Sequence, residues 1–253
     1  MDTINIAWLY PDVLDLHGGR GDLLGLRHGA ELLGLDCRIS RVDRLEDFPD
    51  LDWADILWLG PGEVRCSQVV AQRLGRERQA LLDYAAAGRM LVAVASSGAV
   101  LARQTTRADG SSFAGLGLLD MDCHEPGPVY GNDLWFALPD GEEIMAVQIS
   151  LLHTLIAADS PTQPLGRVLY GRGNSSDGKA EGAWRDNVIF TNALGPVCVK
   201  NPRFSARLLA QAAAAKGLKL EAALSPEQTE REDASFELIK RFIQKKQAGP
   251  AAG

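Results

Sequence analysis

Side chains with the types and spacing that chemistry needs are few in this chain. The four histidines, His17, His28, His124 and His153, stand far apart, and none has another His or a Cys at a metal-ligand spacing. The four cysteines, Cys37, Cys66, Cys123 and Cys198, form no Cys-x-x-Cys pair, so no zinc site or disulfide framework is expected and they read as reduced thiols. Neither a metal nor a cofactor is implied. Ser96 and Ser97 follow a buried apolar run, but a serine hydroxyl becomes a nucleophile only beside a base, and the sequence positions none there. Capping of the next helix is their expected role. Cys66 reads as a small buried side chain, since free cysteine is among the most buried residue types. Gly18-Gly19-x-Gly21 is not G-x-G-x-x-G and lacks the acidic residue expected after a second strand, so it is not read as a phosphate loop. Asp12, Asp15, Arg20 and Asp22 form a charged cluster in the same segment, as a solvated turn with ion pairs would.

The elements that must carry these residues show in the hydrophobic pattern. Three short apolar runs bounded by turn residues, 4–9, 56–59 and 90–95, mark buried strands. Between them, 21–33 and 71–87 place apolar residues at helical spacing, the second ending at Gly88 as a helix C-cap should. Strand and helix in alternation imply a parallel sheet, whose chemistry sits in the loops at the carboxyl ends of the strands, after Leu9, Leu59 and Ala95. From 113 to 195 the pattern changes to short β-like pieces (134–138, 144–149, 166–170 and 187–192), read as the second half of the same domain. Residues 202–220, opening on Pro202 and rich in Ala, predict a terminal helix, and 225–246 one more. The expected division is 1–220 as the main domain, 221–246 as a helical extension and 247–253 as a disordered tail.

The first of these loops, Leu9-Tyr10-Pro11-Asp12-Val13-Leu14-Asp15-Leu16-His17-Gly18-Gly19-Arg20-Gly21-Asp22, resembles the LYPD-x-L-x-L-x-G-D-R-G-N signature of GatD-type glutamine amidotransferase subunits, which are CobB/CobQ-like class I amidotransferases. Further matches keep the family order. They are Leu59-Gly60-Pro61-Gly62, Gly115-Leu116-Gly117-Leu118-Leu119-Asp120, Gly131-Asn132, Gln163-Pro164-Leu165-Gly166, Gly171-x-Gly173-Asn174, Glu181-Gly182, Asn187-Val188-Ile189, and Gly195-Pro196 with Lys200-Asn201-Pro202. The resemblance spans residues 4–215. It implies a flavodoxin-like α/β fold, a parallel-sheet sandwich with helices on both faces. It also implies a partner, a MurT-like Mur ligase subunit, with which such subunits amidate the peptidoglycan precursor lipid II.

Family members hydrolyse glutamine with a cysteine on a sharp strand-to-helix turn, in a string like A-I-C-G-G-Y-Q-L-L. The matching string here is Ala93-Val94-Ala95-Ser96-Ser97-Gly98-Ala99-Val100-Leu101, so the nucleophile position holds Ala95. The family's catalytic histidine lies in T-Y-L-H-G-P, which here reads Thr191-Asn192-Ala193-Leu194-Gly195-Pro196, so the base position holds Leu194. One change could be an engineered substitution, but two independent losses point to a naturally degenerate site. The family arginine before Ile-Gly-Asn is absent from Pro128-Val129-Tyr130-Gly131-Asn132, and a Gly-Phe-Glu-Asn-His string has become Ala146-Val147-Gln148-Ile149-Ser150. The oxyanion turn survives as Gly60-Pro61-Gly62, in which Pro61 has no N–H to donate. The resemblance thus leaves a vestigial pocket of Gly60, Gly62, Ser96, Asn132 and Gln148 with no catalytic residue. The first loop, retained beside it, is expected to serve a partner interface or the fold, and the partner contact is expected either there, over 12–22, or on the helical part from Phe204 onward.

The chain's 253 residues, 46% hydrophobic and 23% charged, suffice for a full-sized core. A formal charge of -7 argues against a sequence-independent grip on nucleic acid or an anionic membrane. The start MDTINIAWLYPD lacks the pattern of a signal peptide, and no apolar run would cross a bilayer, so the cytoplasm is the expected place. Three functions fit. The first is a non-catalytic amidotransferase-like subunit that binds a MurT-like Mur ligase; the second is an active glutaminase subunit with a rearranged or engineered site. The third is a binding or regulatory protein that reuses the glutamine pocket for another small ligand.

Overall fold

The computed structural model describes residues 2–221 and 223–248. The chain opens with β1 (Thr3–Leu9), α1 (Gly19–Leu32), β2 (Asp36–Val42) and β3 (Ile56–Leu59), then α2 (Val64–Gly75), α3 (Arg78–Ala86) and β4 (Met90–Val94). A single 3₁₀ turn at Ala95–Ser97 leads into the short α4 (Gly98–Leu101). The middle of the chain is all strand: β5 (Gln104–Thr106), β6 (Ser112–Ala114), β7 (Met121–His124), β8 (Tyr130–Ala137), β9 (Glu143–Ser150), β10 (His153–Ile156), β11 (Gly166–Tyr170), β12 (Ala180–Glu181), β13 (Ala183–Arg185) and β14 (Val188–Thr191). Three helices close it, α5 (Val197–Lys200), α6 (Pro202–Ala215) and α7 (Pro226–Gln247).

β13, β14, β4, β3, β1 and β2 lie side by side in that order, parallel except for the β13–β14 hairpin at one edge. Alternation along the strands sends side chains to two cores. Ile4, Ile6, Trp58 and Val92 pack with Leu23 and Leu26 of α1, Leu208 of α6, and Leu134 and Phe136 of β8. On the other face Leu9, Leu57, Leu91 and Phe190 pack with Val70 and Leu74 of α2, Leu81 of α3 and Met121 of β7. Both faces of β3 and β4 are therefore buried, which is why ILWL and MLVAV read as unbroken apolar runs.

Three expectations are corrected. The stretch 71–87 is two helices, broken at Arg76 and Glu77 after Gly75, a residue that weakens a helix interior by about 1 kcal/mol. The second of them does end at Gly88, whose φ of 81° is the left-handed cap. Within 113–195 only β13 and β14 join the central sheet; the rest form two further four-stranded sheets, β10-β7-β5-β6 and β12-β11-β8-β9. The helix expected over 202–220 stops at Ala215, two residues before Gly217 at φ 75°. Residues from 249 onward, most of the expected tail, lie outside the described residues.

α7 starts on a capping box, Ser225 with Gln228, and lies on the outer face of the third sheet. There Ile243 packs against Trp135 and Met145, and Lys240 pairs with Glu143 at 2.7 Å. Among the described residues no helix is long and apolar enough to cross a membrane.

α1 and α5 meet backbone to backbone. A Cβ on Gly25 would sit 2.8 Å from the carbonyl carbon of Cys198 and 2.9 Å from the nitrogen of Val199. Gly25→Ala gains about 1 kcal/mol of helix propensity, but relieving the clash costs about 1–3 kcal/mol. A net loss of about 1 kcal/mol in urea denaturation is expected, against no loss for Gly75→Ala, whose added methyl meets nothing within 4 Å. Stability unchanged at Gly25→Ala would show that the two segments are free to part.

Candidate functional site

The carboxyl ends of β1, β3, β4 and β14 bring together the first loop, the Gly60–Gly62 turn, the turn at Ala95 and the segment through Leu194. Ala95 has φ 50°, left-handed backbone that costs a non-glycine residue about 1 kcal/mol or more. Such strain persists only where surroundings impose it, and here two serines do so. Ser96 Oγ accepts the Gly62 N–H at 2.9 Å and donates to the Gly62 carbonyl, Ser97 Oγ donates to the Gly60 carbonyl, and Ser67 Oγ donates to the Ser96 carbonyl at 3.1 Å. Both serines are buried and neither caps α4, contrary to the expected role. They tie the elbow to the Gly60–Gly62 turn. The Gly62 N–H, which an oxyanion would need, is already bonded to Ser96.

The elbow points an inert methyl into an apolar cluster. Ala95 is 8% exposed, Leu194 is 2% exposed, and both belong to the core that includes Trp8, Val94 and Ala193, with Val147 packed against it. Leu194 pairs with Val147 of β9 in an antiparallel bridge of 2.8 and 3.0 Å. The structure thus brings the two expected catalytic positions into one hydrophobic cluster.

The segment before Leu194 is held by a buried polar network that the sequence shows only as scattered motif matches. Glu181 accepts from Thr191 Oγ1 at 2.8 Å, the Asn192 N–H at 2.7 Å and Asn192 Nδ2 at 3.0 Å. Asn192 Nδ2 also reaches Asn174 Oδ1 at 2.9 Å, and Asn174 Nδ2 donates to the Gly182 carbonyl at 2.7 Å. Burial raises the Glu181 carboxyl above its ordinary pKa while these donors oppose the shift. Spacing in sequence could not have revealed it, because the partners come from three separate segments.

Asn132 and Gln148 face each other across β8 and β9. Gln148 is fully buried and engaged at both ends, donating to Ser150 Oγ and the Gly173 carbonyl and accepting the Arg172 and Gly173 N–H groups. It anchors the loop after β11. Asn132 Nδ2 donates to the Tyr130 hydroxyl at 2.9 Å. A guanidinium does reach this edge, from Arg172, 3.8 Å from the Tyr130 ring centroid.

The first-loop charges part ways. Asp12 is exposed and pairs with Arg41 at 3.0 Å, and the exposed Asp15 accepts the Arg20 N–H at 2.8 Å. Asp22 is buried and accepts the Cys198 N–H at 2.8 Å; burial pushes its carboxyl up to about 7. All four cysteines are unpaired; burial pushes the Cys123 thiol up to about 12 and raises Cys198 as well, and Cys66 is half-buried at the start of α2. Among the described residues no group of three His, Cys, Asp or Glu could hold a metal ion.

A scan against protein-family models finds no match. Two curated relatives match over most of the chain. The GatD subunit of the glutamine-hydrolyzing lipid II isoglutaminyl synthase of Streptococcus pneumoniae is 26% identical over 211 residues, 83% of this chain and 80% of the relative. Its counterpart in Staphylococcus aureus is 22% identical over 228 residues, 87% of this chain and 89% of the relative. The chain is homologous to GatD. A crystal structure of a glutamine amidotransferase superposes with a TM-score of 0.52 at 16% identity, covering 81% of this chain and 98% of that one. The fold is class I glutamine amidotransferase-like, as the GatD resemblance implies, and Ala95 stands at its strand-to-turn elbow.

Proposed function

We propose that this chain is a GatD-like subunit of a complex that amidates lipid II in the cytoplasm, retained for docking on a MurT-like Mur ligase and without glutaminase activity of its own. The observation that carries this is that Ala95, at a left-handed elbow, and Leu194, the positions expected for nucleophile and base, are both apolar and buried in the core. Neither a methyl nor an isobutyl group can attack an amide or move a proton. The partner then draws its nitrogen from free ammonia or another amine.

A scaffold kept without its chemistry keeps some other surface in use. Leu16, Leu24 and Val199 are 40%, 41% and 44% exposed on the first loop, α1 and α5, and Leu24 and Val199 line one depression. Leu238 and Phe242 of α7 are also exposed, but they form an isolated pair among charged neighbours. The first-loop face is therefore the docking face in this proposal.

Co-expression with a MurT-like Mur ligase from the same organism, followed by size-exclusion chromatography, is expected to give one heterodimer peak. Leu16→Asp/Leu24→Asp should split it, because apolar anchors carry most of the affinity of such contacts. Arg20→Glu should mainly slow association, and Leu238→Asp/Phe242→Asp should leave the peak intact. Two separate peaks at micromolar concentration of wild-type chains would sink the proposal.

A further inference from the structure

A groove runs between β13, at the edge of the central sheet, and the β8, β11 and β12 edge of the third sheet. It encloses about 770 Å³, within the roughly 300–1,000 Å³ usual for small-molecule sites. A second cavity of about 210 Å³ shares Leu138, Pro139 and Trp184 with it, so the two form one furrow around the indole of Trp184. Ile189, on the wall of the smaller cavity, pairs with Val92 of β4, three residues before Ala95, while Leu194 lies five residues beyond Ile189. The furrow is thus toward the amino ends of these strands, apart from the degenerate catalytic positions.

Its lining joins an aromatic face to positive charge. Trp184 is 37% exposed, an unusual place for a large ring that other tryptophans of this sheet, Trp8 and Trp58, avoid by burial. Arg167 and Lys179 line the same groove from β11 and from the residue before β12, and Gln163 adds an exposed amide. Nearby ion pairs use Arg207 with Asp140 and Glu142, and Arg185 with Asp120 and Asp186, leaving Arg167 and Lys179 without a carboxylate partner among the described residues. Neighbouring acidic groups are already engaged: Asp177 accepts the Ser175 hydroxyl and the Lys179 N–H and feels the Lys179 charge, the buried Glu181 accepts from Thr191 and Asn192, and Asp140, on the wall of the adjoining cavity, holds Arg207.

We propose that this groove binds a small anion carrying a flat ring, the chemistry of a mononucleotide. The ring stacks on the Trp184 indole, where any planar π system gains contact without a dedicated hydrogen-bond pattern. The phosphates meet Arg167 and Lys179, and Gln163 offers a donor and an acceptor to the ring edge or sugar. The site is independent of the lost glutaminase and of the docking face.

Calorimetric titration of the full chain tests it, with ADP and UDP as probes and adenosine, uridine and inorganic pyrophosphate as their halves. At least one nucleotide is expected to saturate the protein with a Kd below about 1 mM. Trp184→Ala should weaken that binding about tenfold or more, Arg167→Gln/Lys179→Gln should weaken it similarly and flatten its salt dependence, and each half-ligand should bind at least about tenfold more weakly. Arg167 and Lys179 are exposed, so the Arg167→Gln/Lys179→Gln chain should keep its melting temperature, while Trp184, 37% exposed, loses packing on truncation and Trp184→Ala is titrated well below its own melting temperature. No saturation by either nucleotide below about 1 mM, undiminished binding to Trp184→Ala, or pyrophosphate binding as tightly as the nucleotide would each overturn the proposal.

Discussion

The purified chain is expected to release no ammonia from glutamine, and Ala95→Cys alone is expected not to restore release. The elbow already has the sharp left-handed turn, so a cysteine would be correctly presented. It would still lack a base. A free thiol with a pKa of about 8.5 is mostly protonated at neutral pH, and the position expected for the base holds Leu194, pinned by its bridge to Val147. His28, His124 and His153 sit elsewhere, on α1, β7 and β10, and His17, on the first loop, is exposed to solvent, whereas Ala95 is buried in the core. The Gly62 N–H is bonded to Ser96 Oγ, so a tetrahedral oxyanion would meet an occupied donor beside a proline that has none. Losing a nucleophile alone lowers turnover by about 10⁴-fold or more in hydrolases whose remaining machinery is intact. A coupled assay for glutamate and ammonia at pH 7–8 should therefore read background for wild type and variant alike. Turnover by wild type that vanished on changing Cys66 or Ser96 would show that the site had moved; activity in Ala95→Cys would show that a base is present after all.

Strands 4–9, 56–59 and 90–95 were legible because burial on both faces leaves an apolar run that few other structures produce. β2 was not read, since it is the edge strand of the sheet, Arg38, Ser40 and Arg41 face water, and its apolar Cys37, Ile39 and Val42 are only partly buried and divide between the two cores. The partition of 113–195 into separate sheets was also hidden. A strand of three to five residues records which of its faces is buried, not which distant strand it will join. At the site, identities at positions 95 and 194 were readable through motif order, whereas the roles of Ser96, Ser97 and Gln148 depend on contacts with residues 60, 62 and 171–174. A hydroxyl that ties two loops together and one that caps a helix look the same in sequence.

Asp22→Asn is expected to stabilise the chain at pH 8 much more than at pH 5. The GatD-type signature ends in Asn where this chain has Asp22, and the structure buries that carboxyl against the start of α5 with the Cys198 N–H as its partner. Burial is the largest influence on it, raising its pKa from 3.8 to about 7 against the opposing pull of the Cys198 and Val197 N–H groups. An acid whose folded pKa lies above its unfolded value holds its proton more tightly when folded. Its contribution is therefore complete below pH about 4 and is lost as pH rises through about 7, where folding must either keep a proton that water would remove or bury a charge. Asparagine keeps the accepting oxygen and nearly the same shape but never ionises. The gap between variant and wild type should thus widen from pH 5 to pH 8 by about 2.5 kcal/mol, at roughly 1.4 kcal/mol per pKa unit, and level off above that. Urea denaturation of both proteins across this range measures it, and the comparison cancels every other titrating group that the two share. A gap that stays flat with pH would mean that Asp22 is ionised throughout, and that the donors of Cys198 and Val197 offset its burial far more strongly than a pKa raised to about 7 allows.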